Sequence, residues 1–200
     1  ATAVALNMTV TDTAAGGFAS VFPGFTLWSG TSSLNFAPGQ TVAAATSVGL
    51  NQRRVSYVLS TPADVIFDVF GYYLPGTGAR YAPVMPARLL DTRRWSFGTP
   101  LLAGTIVSVP TRMSGTPGGN VQAVTVNVTA VEPSGPGYLS LYPCNREAGL
   151  PTVSNVNFAG GEGAVPNLAT VQTDGSDQTI CIYTSTTTHV VVDIQGYFVE

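Results

Sequence analysis

The chain contains no lysine, and all eight of its basic residues are arginines. With eleven acidic residues the net charge is −3, and charged residues are only 10% of the 200, against about 25% in typical globular domains. This composition offers no basic surface for nucleic acid or anionic lipid. The absence of lysine also excludes a lysine–asparagine isopeptide crosslink and Schiff-base chemistry.

Long apolar runs and helical periodicity are missing as well. No apolar stretch approaches the roughly 18 residues that a membrane-spanning helix needs, so we expect no membrane insertion. The first residues lack the positively charged start of a signal peptide, and we expect that any export signal has been removed. No window of about twelve residues keeps apolar positions at helical spacing.

Catalytic and metal-binding signatures are also absent. The sequence has one histidine, His189, and no GxSxG, HExxH, P-loop or dinucleotide fingerprint. The glutamates fall in turn-like sequence or at the C-terminus, which disfavours the carboxylate pair of a glycoside hydrolase. Asp174 and Asp177 lie in a turn that suits an ion, but a solvated turn is the preferred interpretation. We expect no enzyme, no cofactor and no metal site.

What the chain does contain is an internal repeat. Residues 2–10 (TAVALNMTV) return as residues 122–130 (QAVTVNVTA), and the following strand-like segments recur in the same order. The last match pairs VIFDVFGYY at 65–73 with VVVDIQGYF at 190–198, so the spacing drifts only from 120 to 125 residues. Small insertions of this kind belong in loops, and the two copies can be compared with each other.

The repeat and its punctuation predict an all-β protein. Short alternating apolar runs end at the 14 prolines and 22 glycines, which is typical of antiparallel strands. We predict two tandem antiparallel β-sandwich-like or barrel-like units, at residues 1–77 and 78–200. The second begins with a connector, residues 78–120, that has no counterpart in the first. Either this connector completes a sheet of one unit, or the first unit lacks strands that something else supplies.

The only two cysteines, Cys144 and Cys181, fall in the second unit where the first has Gly24 and Ser56. Each flanks or lies in a strand-like run, so we predict a disulfide between neighbouring strands. Two reduced core thiols or a metal pair are the alternatives, and a metal pair is disfavoured because neither cysteine has a histidine neighbour.

Asp68 and Asp193 interrupt strongly apolar strands at the same repeat position. A carboxylate in such a strand must be paired, hydrogen-bonded or at a sheet edge. We interpret both as structural, with Arg88 or Arg93 as the natural partner of one of them. A calcium ligand or a sugar-binding carboxylate is the functional alternative.

Aromatic side chains provide the candidates for glycan contact, because sugar faces stack on rings that also offer a polar group. The foremost candidates are Trp28, Trp95 and Tyr81; Tyr57, Tyr72 and Tyr73 follow. The alternative interpretation is that these rings cap the cores or the junction between units.

Several motifs resemble a repeat of secreted and cell-surface proteins of high-GC actinobacteria. They are ARLLDTR (87–93), TVNVTAVEPSGPGYLSLYPC (125–144), SNVNFAGG (154–161), AVPNLATV (164–171) and HVVVDIQGYF (189–198). The resemblance implies an accessory domain without a catalytic role, such as those that accompany cell-wall hydrolases. It is strong in the second unit and weak in the first, which lacks both the cysteines and an RLLDTR-like segment. No site residue can be transferred from it.

These observations together predict a non-enzymatic extracellular or cell-surface β-module with a structural or adhesive role. We expect it to assemble with copies of itself or with other surface proteins, into a surface or filamentous structure. Donation of Thr105–Pro110 or of the RLLDTR strand to a neighbour's sheet is one possible mechanism. The alternative is a carbohydrate-binding module that attaches a cell or an enzyme to polysaccharide.

Overall fold

A computed structural model describes residues 1–94, 98–144, 149–175 and 178–200. These residues form fourteen strands in four antiparallel sheets and contain no helix, which confirms the all-β, sandwich-like class. The chain divides into two compact units, Ala1–Thr77 and Gly78–Glu200. Among the described residues no helix has the length and apolarity needed to cross a membrane.

The first unit packs two three-stranded sheets against each other. One sheet has the order β4-β1-β6 and the other β3-β2-β5. Alternate residues of β1, such as Leu6 and Met8, are buried between the sheets, as the period of two of a strand requires. The strands are β1 (Ala3–Thr11), β2 (Gly17–Pro23), β3 (Leu34–Phe36), β4 (Val42–Gly49), β5 (Val55–Leu59) and β6 (Asp64–Tyr73).

The second unit packs two four-stranded sheets, β12-β9-β14-β7 and β11-β10-β13-β8. Its core is larger and contains fully buried Ile182, Ile194 and Tyr197. The strands are β7 (Arg80–Asp91), β8 (Ile106–Pro110), β9 (Val121–Val131), β10 (Gly137–Pro143), β11 (Val156–Phe158), β12 (Ala164–Gln172), β13 (Thr179–Thr184) and β14 (His189–Val199).

The two units share one plan. Strands β1 to β6 correspond in order to β9 to β14, and the sheet orders agree once β7 and β8 are set aside. Two turns agree as well, since Asp12 and Glu132 have φ values of 54° and 52°, a conformation that is uncommon outside glycine. The second unit is therefore the first unit with one strand added to each sheet.

The connector supplies those two added strands. β7 pairs with β14 and β8 pairs with β13, both antiparallel. Of the alternatives left open by the sequence, the connector thus completes the second unit. The two segments considered above as strands for a neighbouring subunit pair within their own unit.

The cysteines form a disulfide, Cys144–Cys181, with Cα atoms 4.9 Å apart. It joins the end of β10 to β13, the strand next to it in the sheet. The predicted link between neighbouring strands is therefore present, in the unit that has the larger core.

We expect that replacing both cysteines, Cys144→Ser with Cys181→Ser, lowers the stability of the second unit by about 4 kcal/mol. The reason is that the bridge closes a loop of 37 residues and restricts the unfolded chain. Urea unfolding of parent and variant measures the difference, and reductant should alter only the parent. Superimposable unfolding curves for parent and variant would contradict this account.

Candidate functional site

Strands β5 and β6 are edge strands of the two sheets of the first unit. In the second unit, each equivalent sheet has one further strand at this position. Their equivalents, β13 and β14, are interior strands covered by β8 and β7. No described residue pairs with the outer side of β5 or β6. We call these two strands, Val55–Leu59 and Asp64–Tyr73, the open edge.

Apolar side chains on β6 are exposed at positions whose equivalents are buried. This difference follows from the presence or absence of the covering strand, because the residue types are similar in both units. Ile66, Val69 and Tyr72 are 49%, 50% and 64% exposed, whereas Val191, Ile194 and Tyr197 are 5%, 0% and 0% exposed.

The same contrast holds on β5, where Tyr57 is exposed and its equivalent Ile182 is fully buried. The Tyr57 ring meets the ring of Phe67 on β6 edge to face, with centroids 5.6 Å apart. An aromatic contact therefore joins the two strands of the open edge.

A glycine occupies the same position in both units, and its surroundings show which space the covering strand fills in the second unit. A Cβ added to Gly196 would lie 2.5 Å from ring carbons of Tyr81, which sits on β7. A Cβ added to the equivalent Gly71 meets nothing within 4 Å. The space over Gly71 is thus a vacant counterpart of the space that Tyr81 fills.

The buried tyrosine hydroxyl of the second unit also depends on the connector. Tyr197 donates a hydrogen bond to the Thr111 carbonyl at 2.8 Å, and its hydroxyl lies 3.1 Å from Thr116 Oγ1. Both partners belong to the connector, which the first unit lacks. Tyr72, at the equivalent position of the first unit, is 64% exposed.

Proline occurs in two outer strands of the second unit, β7 and β12, and is absent from the open edge. β7 contains Pro83 and Pro86, and β12 contains Pro166. Proline removes a backbone donor, and charged lysines serve the same purpose at many natural sheet edges. β5 and β6 contain no proline, so every residue of these strands retains its backbone donor.

In the second unit, the charge of Asp193 on β14 is paired with an arginine of the covering strand β7. Arg88 on β7, one of the two arginines expected from the sequence, forms a short ion pair with Asp193 through Nε. A second bond joins Arg88 Nη2 to Asp193 Oδ2 at 3.3 Å. The hydrogen bond that Arg88 donates to Asp193 raises the pKa of Arg88. Asp68 occupies the equivalent place on β6.

The rest of the RLLDTR segment fastens β7 to β14. Arg93 donates to both carboxylate oxygens of buried Asp91 at 2.8 Å, and these bonds hold the pKa of Asp91 well below its usual range. Thr92 Oγ1 accepts from the Val190 amide at 2.9 Å and lies 3.1 Å from His189 Nδ1. The single histidine therefore belongs to this structural group.

Trp28 lies in the loop between β2 and β3, away from the open-edge strands in sequence. Its ring stacks on Phe18 with centroids 5.4 Å apart, and its indole nitrogen donates to the Thr31 carbonyl at 2.8 Å. Phe25 and Leu27 of the same loop are exposed. The loop thus presents a fixed, partly exposed aromatic surface.

The remaining predicted positions divide into three groups. Tyr81 is half exposed but is committed to packing over Gly196. Asp174 accepts bonds from the amide and hydroxyl of Thr179, as a turn residue does. Trp95 and Asp177 lie outside the described residues. Within the described ranges no three His, Cys, Asp or Glu side chains cluster as metal ligands do.

Comparisons with protein-family models, with curated proteins and with solved structures find no match to this chain. The resemblance to actinobacterial surface repeats therefore stays a prediction from the motifs. The sequence pattern identified Asp68 on β6 as a candidate residue, but it did not identify the exposed positions Ile66 and Val69. The available signal was the connector without a counterpart in the first unit.

A matched pair of substitutions tests the vacant space over Gly71. Gly196→Ala should destabilise the protein by about 2 kcal/mol, because the new methyl group collides with the packed Tyr81 ring. Gly71→Ala should change stability by no more than about 0.5 kcal/mol. Denaturant unfolding of both variants measures the difference, and equal losses would contradict the assignment.

The fixed charge of Asp91 predicts a pH dependence. A lowered pKa in the folded state means that the stabilisation is present above about pH 4 and is lost as the pH falls further. Asp91→Asn should cost about 2 kcal/mol at pH 7, since it weakens charged hydrogen bonds at a buried site. Unfolding measured between pH 7 and pH 3 should show the parent approaching the variant, and parallel curves would argue against this role.

Proposed function

We propose that the protein is a non-enzymatic extracellular structural or adhesive module. It assembles with copies of itself or with other surface proteins into a cell-surface or filamentous structure. The observation that carries this proposal is the open edge of the first unit, a pair of unprotected strands with exposed apolar side chains. Strand addition at such an edge combines backbone hydrogen bonds with side-chain burial.

Other features support a role in contact. Exposed apolar patches with polar surroundings mark interaction surfaces in monomeric proteins. A surface poor in charge imposes little electrostatic repulsion on copies that approach each other. The disulfide supports an extracellular location, because disulfides persist in oxidising compartments.

A carbohydrate-binding module is the second candidate, and the Trp28 loop favours it. The indole is held in place by its bond to Thr31 and by Phe18, while part of its surface remains exposed. Rings of this kind stack on sugar faces. Binding to a glycan array that is lost in Trp28→Ala would support this candidate.

The mass of the native protein in solution tests the first proposal. We expect light scattering to give assemblies well above the 20.7 kDa of one chain. Val69→Arg should reduce their size, because it places a charge in the apolar open edge. Met85→Arg is the matched control, since Met85 is exposed on β7 of the second unit. A parent that stays at 20.7 kDa at every concentration would contradict self-assembly and favour glycan binding.

A further inference from the structure

We propose that a cleft at one end of the second unit binds a neutral sugar. The cleft lies where β10 ends and where β12 turns towards β13, and its volume is about 390 Å³. Sites for small ligands span about 300–1,000 Å³, so this cleft suits a ligand such as one or two sugar rings. The inference rests on the second candidate function, carbohydrate binding, and it names a site in the other unit from Trp28.

One wall of the cleft is the end of β10. Leu141 points into the core and is buried, so Tyr142 lies on the outer face of the strand, where it lines the cleft with Pro143. No described residue exchanges a hydrogen bond with the Tyr142 hydroxyl. Burial raises the pKa of Tyr142, so this hydroxyl stays protonated at neutral pH and can both donate and accept.

The opposite wall is the end of β12 and the turn that follows it. Gln172 is exposed, and its amide group has no hydrogen-bond partner among the described residues. Thr173 Oγ1 donates to the Val121 carbonyl at 2.9 Å, which fixes the backbone of this wall. The amide and the hydroxyl of Thr179 hold the carboxylate of Asp174. This wall therefore presents an amide group and a charge from a fixed backbone.

A covalent link and a hydrogen bond hold the walls in place. The disulfide Cys144–Cys181 joins the end of β10 to β13, the strand that follows the second wall in the chain. Ser140 Oγ donates to the Val153 carbonyl and anchors the segment with Pro151, which lines a third side of the cleft. A site that is fixed before binding loses little conformational entropy when a ligand enters.

The lining matches the chemistry of a neutral sugar. The Tyr142 ring and the two prolines offer apolar surface to the carbon–hydrogen face of a sugar ring. The phenol and the Gln172 amide offer donors and acceptors to its hydroxyl groups. Among the lining residues that the structure describes none is basic, and Asp174 contributes a negative charge. The cleft therefore favours a neutral ligand over a phosphate or a carboxylate.

The first unit has the same framework without these polar groups. Its positions equivalent to the tyrosine and the glutamine of the cleft are Phe22 and Gly49, which have no polar side-chain atom. Asn51 Nδ2 donates to the Gly24 carbonyl at 2.8 Å and so links the two equivalent walls directly. The hydrogen-bonding groups of the cleft are therefore specific to the second unit.

Titration calorimetry with defined oligosaccharides tests the inference. The neutral probes are cellotetraose, maltotetraose, chitotetraose and mannotetraose, and tetragalacturonate is the anionic control. We expect at least one neutral probe to bind the whole chain, and the anionic probe to bind more weakly. Trp28→Ala should retain this binding, because Trp28 belongs to the first unit.

Substitutions in the two walls locate the bound sugar. Tyr142→Ala should weaken binding at least tenfold, and Tyr142→Phe and Gln172→Ala about fivefold each, since each of the last two removes one hydrogen bond to the sugar. Neither of these two substitutions removes a hydrogen bond within the described part of the chain, so both variants should keep the melting temperature of the parent. Tyr138→Ala is the matched control, because Tyr138 is on the same strand but outside the lining of the cleft.

Binding that is unchanged in both Tyr142→Phe and Gln172→Ala would overturn the inference, as would stronger binding of the anionic probe. If Trp28→Ala alone abolishes binding, the carbohydrate-binding candidate stands and the cleft is not its site. If no neutral probe binds, the inference and the carbohydrate-binding candidate are both wrong. The self-assembly proposal is judged separately, by the mass in solution.

Discussion

A β-strand at the end of a sheet leaves a row of backbone amide and carbonyl groups without a partner strand, and the contrast between the two units follows from this constraint. In the second unit β7 and β8 satisfy the outer sides of β14 and β13, and their side chains complete the burial of Ile194 and Tyr197. In the first unit the equivalent strands, β6 and β5, are edge strands. The exposed side chains there are a consequence of the missing pairing.

The all-β class and the recurrence of strand-like segments in both units could be predicted because alternation and turn residues are local signals. The disulfide followed from two cysteines beside strand-like runs. The strands with which the connector pairs could not be predicted, because contacts such as that of Arg88 with Asp193 join residues 105 positions apart. Charge limited the possible partners of Asp193 to a few arginines, but only the three-dimensional pairing selects one.

The candidate site shows a different limit of sequence reasoning. Ile66 and Val191, or Tyr72 and Tyr197, have similar residue types in similar strands, so the sequence gives the same expectation for each pair. Their burial differs because it is decided by strands that lie elsewhere in the chain. Exposure of the open edge is therefore a property of the assembled sheets and could not be predicted from β6 alone.

The position of β14 in the chain has a consequence for how the second unit folds. This strand lies between β9 and β7, so those two strands become parts of one sheet only when β14 pairs with both of them. Pairings over such long sequence separations are slow to form. During synthesis, β7 emerges long before its partner β14, so the four-stranded sheet can be completed only after β14 has emerged.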